Sequence, residues 1–181
     1  MTLYLRYLPN WIIISSVILL TACSSTPPQK SPLDPNLVAR LHLMPLERKL
    51  PIPVDGVKAR QLTDTWGASR SHGRTHEGID ILASRGTKVY STTDGIVRSM
   101  RDNNLGGKVI WILGPAGSWH YYAHLDKHKR GLQEGDIVRA GDHIGYVGNT
   151  GNARHTAPHL HYGLYLDGRG RGVVNPYPYL R

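Results

Sequence analysis

The chain has 181 residues, carries 22 Lys and Arg against 13 Asp and Glu for a formal net charge of +9, and is 40% hydrophobic. That length suits one domain with a short extension, and the apolar content excludes a wholly disordered chain. The single cysteine excludes an internal disulfide framework.

Residues 1–22 read as an export signal. Arg6 supplies a positive start, and residues 11–20 form an apolar run interrupted by Ser15 and Ser16. A spanning helix needs about 20 apolar residues, so this shorter run suits the hydrophobic stretch of a signal peptide. The tetrapeptide Leu20-Thr21-Ala22-Cys23 that follows resembles the lipobox of bacterial lipoproteins, in which the cysteine is lipidated and becomes the first mature residue. Cys23 is therefore the expected lipidation site, anchoring the chain to a membrane of the cell envelope. Ser24 in place of an aspartate resembles the sorting pattern of outer-membrane lipoproteins, so the expected location is the periplasmic side of the outer membrane.

Residues 23–50 read as a tether, with Pro27, Pro28, Pro32, Pro35 and Pro45 among polar residues. One short helix is expected within it. Asp34 would be its N-cap, Pro35 its first residue and Leu37 and Leu41 one face, before Pro45 stops it.

Residues 51–181 form the expected domain. β-Branched and aromatic stretches at 79–82, 88–92, 96–100, 108–113, 119–125, 137–138, 143–147 and 159–166 alternate with turns such as Thr93-Asp94-Gly95 and Gly114-Pro115-Ala116-Gly117. No long helical pattern separates them, which predicts a mainly β domain built on an antiparallel sheet. Residues 103–107 and 150–158 are the expected loops walling a groove.

Five residues in this domain carry chemistry: His76 and Asp80 in H-E-G-I-D, His124 in Y-Y-A-H-L, and His159 and His161 in P-H-L-H. A catalytic zinc site needs three protein ligands and an open position, and imidazole and carboxylate are suitable donors. Strand side chains alternate between faces, so His159 and His161 share one face with Leu160 on the other. His76 and Asp80 share a face by the same parity if the stretch after Gly78, residues 79–82, is the strand that its β-branched character suggests. His120 stands four residues before His124, so parity places both on the same side and does not choose between them. There is no G-x-S-x-G elbow to present a serine nucleophile.

Together with Trp66-Gly67, G-T-K-V-Y, D-G-I-V, G-D-x-V and G-D-H-I-G-Y-V-G-N-T-G, these motifs resemble the lysostaphin-type zinc peptidases of peptidoglycan, including the LytM-like enzymes, over roughly residues 63–168. The resemblance implies the fold of that family, the duplicated hybrid motif, with a narrow groove walled by loops. It implies a single zinc held by His76, Asp80 and His161. It also implies His124 and His159 as the catalytic histidines, His124 being the one in the family's Y-A-H-L context. His42, His72, His128, His143 and His155 match no motif position, and structural roles are expected for them, with His155 nearest the site in sequence.

A zinc so placed would make water acidic near neutral pH and polarise a peptide carbonyl, while two histidines exchange protons. The expected activity is a zinc-dependent endopeptidase acting on stem peptides or cross-links of peptidoglycan, with the D,D cross-link preferred. The alternative is a non-catalytic wall-binding or amidase-activating module on the same fold. The positive charge favours anionic partners, but no nucleic-acid module is present, so peptidoglycan and the membrane are the expected partners of a monomeric chain.

Overall fold

The structure, a computed structural model, describes residues 34–180. The expected signal at 1–22, Cys23 and the start of the tether lie outside the described residues.

The expected helix is present as α1, Pro35–Leu43. Asp34 caps it, its carboxylate accepting from the Asn36 N–H at 2.9 Å, and Pro35 begins it with a backbone angle suited to a first turn. Leu41 is buried. The Met44 carbonyl accepts from the Ala116 N–H at 2.8 Å, and the Leu50 N–H donates to the Tyr179 carbonyl at 2.7 Å. The second half of the stretch read as tether is thus docked on the domain.

Nine strands follow: β1 Ile79–Leu82, β2 Lys88–Tyr90, β3 Gly95–Asn103, β4 Gly107–Leu113, β5 Trp119–His128, β6 Ile137–Val138, β7 His143–Val147, β8 His159–Tyr165 and β9 Val173–Val174. All pairings are antiparallel, in the order β1-β8-β5-β4-β3-β6, with β7 joined to both β5 and β2 and β9 to β8. This is the mainly β, antiparallel fold the sequence predicts, with β3 and β5 longer than expected and the short β9 additional.

Period-two alternation fixes which face is core. Leu160, Tyr162 and Leu164 of β8, Ile79 and Ile81 of β1, and Ile110 and Ile112 of β4 are buried in one apolar cluster. Burying each such large apolar side chain stabilises the fold by about 1.5–3 kcal/mol. Their neighbours Asp80, His159 and His161 face the opposite side, where the groove lies.

One polar network sits under this sheet. The Thr92 hydroxyl lies 2.8 Å from His120 Nδ1, 2.7 Å from the Tyr122 hydroxyl and 2.9 Å from the Tyr162 hydroxyl. Ser118 Oγ donates to the Pro115 carbonyl at 2.7 Å, which leaves it to accept from His120 Nε2–H at 3.0 Å. Each buried polar atom here has a partner, so the network holds β5 and β8 in register at little desolvation cost.

The parity reading of His120 and His124 is corrected by a bulge. Trp119, Tyr121 and Ala123 precede the break on one face, while His120 and Tyr122 point into the core. On the β4 side Tyr122 pairs with Ile110 but Leu125 pairs with Lys108, so two residues of β5 oppose one of β4. His124 sits in this bulge at φ 60°, in the left-handed region that a histidine rarely adopts. Here β5 exchanges β8 for β7 as neighbour, Ala123 pairing with His161 and Leu125 with Val147. The extra residue turns His124 into the groove, and His120 and His124 end on opposite faces.

Candidate metal centre

A groove of about 870 Å³ crosses the non-core face of the sheet. The expected walls are present in Leu105 and Gly106 on one loop and Asn152, Ala153, Thr156 and Ala157 on another. A further wall, from Gln61 to Thr75 and including Arg70 and Arg74, was not anticipated from the sequence. Ser69 and Thr75 bridge, and the His76 N–H donates to the Ala68 carbonyl at 2.9 Å, so this segment folds back as a hairpin. That hairpin, rather than strand parity, positions His76, because β1 begins only at Ile79.

Asp80 and His161 are direct cross-strand partners on β1 and β8, which sets them side by side on one face. His76 Nε2 lies 2.9 Å from His161 Nδ1 and 3.0 Å from Asp80 Oδ1, and His161 Nδ1 lies 3.2 Å from Asp80 Oδ1. A tetrahedron of ligands about 2.0–2.1 Å from a zinc has corners about 3.3–3.4 Å apart. The three donor atoms are within a few tenths of an ångström of that spacing, so the residues fit a small cation. His76 donates from Nδ1 to the Thr65 carbonyl at 2.7 Å, which leaves the Nε2 lone pair for the centre.

Gly78 is required by this packing. A Cβ there would lie 2.5 Å from the Tyr162 carbonyl oxygen and 2.7 Å from His161 Cε1. Arg70 was missed because nothing in its spacing points at Asp80. Its Nη2 meets Asp80 Oδ2 at 2.5 Å, engaging the carboxylate oxygen that the two histidines do not.

The charge states suit ligation. Burial opposes ionisation of Asp80, but its close contacts with the His161 and His76 rings outweigh it and hold the carboxyl well below the usual carboxylate range. Burial pushes His161 down, towards the neutral ring. A carboxylate and a neutral imidazole are the forms that bind a metal.

His124 and His159 stand beside this cluster, their rings 5.0 Å apart, and the His124 ring is 6.0 Å from that of His161. His124 donates from Nδ1 to the Thr150 carbonyl at 2.9 Å, and its backbone N–H donates to the Gly106 carbonyl at 2.7 Å, so it ties the two expected wall loops together. His159 donates from Nδ1 to the Ala157 carbonyl at 2.9 Å, and its Nε2 lies 3.8 Å from Asp80 Oδ1. Both therefore keep an Nε2 lone pair for the site. Burial, then the charges of His159 and His161, push His124 down to about 4, so it is a neutral base at pH 7.

His42, His128, His143 and His155 lie outside this cluster. His128 and His143 hydrogen-bond to the Val109 and Gly145 carbonyls, His42 packs over Gly117, and His155 is exposed.

An open antiparallel sheet whose groove holds a His-Asp-His cluster and two further histidines defines a class, that of metal-dependent hydrolases. Residues 74–176 match the model of Peptidase family M23, and the chain belongs to that family. The L-Ala–D-Glu endopeptidase of Bacillus subtilis is 43% identical over 125 residues, covering 65% of this chain and 38% of its own. The peptidoglycan DD-endopeptidase ShyA of Vibrio cholerae is 38% identical over 94 residues, covering 52% of this chain and 21% of its own. The chain thus spans well under half the length of either relative. The crystal structure of a zinc containing peptidase from Vibrio cholerae superposes with a TM-score of 0.55 at 35% identity, over 65% of this chain and 37% of the other.

Proposed function

We propose that the protein is a zinc-dependent peptidoglycan endopeptidase that hydrolyses D,D cross-links between stem peptides. The observation that carries this reading is the convergence of the His76, Asp80 and His161 donor atoms at 2.9 to 3.2 Å in an open groove. Support for the substrate comes from relatives named for wall-peptide bonds, and support for the metal from a structural neighbour described as containing zinc.

His76, Asp80 and His161 would hold the zinc, which when bound supplies Lewis acidity towards water and towards a peptide carbonyl. His124 accepts a proton from the attacking water at Nε2 and passes it to the leaving amine. His159, taking a proton from solvent at Nε2, donates a hydrogen bond to the oxygen that gains charge. Arg70 holds the outer oxygen of Asp80 and leaves Oδ1 turned to the centre. Lipidation at Cys23 and residence on the periplasmic side of the outer membrane belong to the same proposal, supported by the Leu20-Thr21-Ala22-Cys23 motif after an apolar run.

A second bond has support of its own, since a 43% identical relative is named for cleavage between L-Ala and D-Glu. Digestion of purified peptidoglycan, with the released fragments identified by mass spectrometry, tests both. Loss of cross-linked dimers in favour of monomers carries the D,D reading, and fragments severed after L-Ala carry the second. Release of no peptide from any wall chemistry would leave the non-catalytic module standing instead.

A further inference from the structure

The groove floor does not stop at the metal cluster. Along the same face, Tyr121 meets the His161 ring edge-on at 5.8 Å, and Trp111 packs on Tyr121 at 4.3 Å. Tyr165 and Trp119 complete the shelf, 5.2 and 6.3 Å from Trp111. The three outer rings, Trp111, Trp119 and Tyr121, are only half-buried. Tyr121 and Tyr165 line the groove itself, so shelf and groove are continuous.

Arg169 lies over this shelf. Its guanidinium carbon is 5.1 Å from the Trp111 ring centroid and 6.0 Å from that of Trp119. The residue sits on the turn joining β8 to β9, which is closed by the Leu166 N–H to the Gly172 carbonyl at 2.9 Å and the Arg171 N–H to the Gly168 carbonyl at 3.0 Å. Contact with ring faces fixes the plane of a guanidinium and leaves its N–H edge free to donate. No ion pair to Arg169 is found among the described residues.

Arg101 adds to the charge. Ser99 pairs with Trp111 and Arg101 with Val109, so Arg101 rises on the same face as Trp111. Partial burial, and the nearby charge of Arg101, pull Arg169 below its ordinary range, with Glu134 in partial opposition. This end of the groove therefore carries surplus positive charge on an aromatic base.

The structure assigns this shelf as a subsite for a free carboxylate of the peptide substrate, bound edge-on by Arg169 with Arg101 beside it, while the aromatic rings bear the adjoining apolar part. The assignment rests on the peptidase reading and extends it along the groove. An amide in place of the carboxylate offers no charge to the guanidinium and presents N–H groups to an already donor-rich site. The shelf would thus favour wall peptides whose carboxylates are free over those whose carboxylates are amidated.

Binding separates this inference from turnover. The full metal-free chain is titrated with a cross-linked stem-peptide dimer bearing free carboxylates and with the same dimer amidated, following tryptophan fluorescence. The free form is expected to bind more tightly, and Arg169→Ala to weaken it by about tenfold or more, the loss for a charge-assisted bond. The amidated form should be nearly indifferent to that change, and Arg169→Lys should recover part of the affinity. Equal binding of both dimers, or an equal loss for both in Arg169→Ala, overturns the subsite. Carboxylate-selective binding by a chain that, zinc-loaded, cuts neither dimer would keep the subsite and sink the peptidase reading.

Discussion

His120 makes the fold acid-sensitive in a way that can be isolated. It is wholly buried, and burial pushes its pKa down to about 3, against about 6.5 for the same side chain in an unfolded chain. Between those values the unfolded state binds a proton that the folded state refuses. The contribution is therefore fully present above pH 6.5 and is lost as pH falls towards 3, at about 1.4 kcal/mol per pH unit. From pH 7 to pH 5 the loss is about 2 kcal/mol, because the first half unit contributes little. His124, His128 and His161 are also pushed down by burial, so a single slope does not identify His120. Urea denaturation of the metal-free chain and of His120→Gln, followed by circular dichroism at pH 7 and pH 5, cancels the shared part. The variant should be less stable at pH 7, because its network is broken, yet lose about 2 kcal/mol less than wild type on acidification. Equal losses in the two proteins would refute the burial argument.

Arg70→Ala should weaken zinc binding by about 10- to 100-fold in a chelator competition, since it removes the partner of a ligating carboxylate, and Arg70→Lys should restore part of it. Gly78→Ala should lower both stability and zinc affinity, because the new methyl meets the Tyr162 carbonyl and the His161 ring; overpacking of this kind costs about 1–3 kcal/mol, and an unchanged melting curve would contradict the reported closeness. With burial pushing His124 down to about 4, its ring should stay neutral in the metal-free chain as pH falls through 6.5. An NMR titration of that chain in which the His124 ring protonates at 6.5 would contradict the burial argument.

The β8 pattern was legible because it depends on parity alone: a regular strand with a continuous buried face leaves His159 and His161 no choice of side. The H-x-x-x-D and Y-A-H-L motifs named the other three of the five residues that the fold brings together. The position of His124 was not legible from spacing. It depends on a one-residue bulge where β5 changes neighbours, a tertiary event that period-two reading cannot contain. Arg70 and the wall at 61–75 were hidden for a similar reason, since a hairpin without strong strand propensity carries them over the groove. Docking of residues 35–50 was obscured by their proline content, which reads as tether until Leu41 and Leu50 find the domain surface.

The division of labour among the five residues is the centre of the account, and zinc content measured beside turnover on wall peptide tests it in one preparation of each variant. His161→Ala should lose the metal and the activity together. His124→Ala should retain one zinc per chain and lose turnover. Loss of zinc from His124→Ala, or full turnover by either variant, would contradict the assignment of His76, Asp80 and His161 as ligands with His124 as the base.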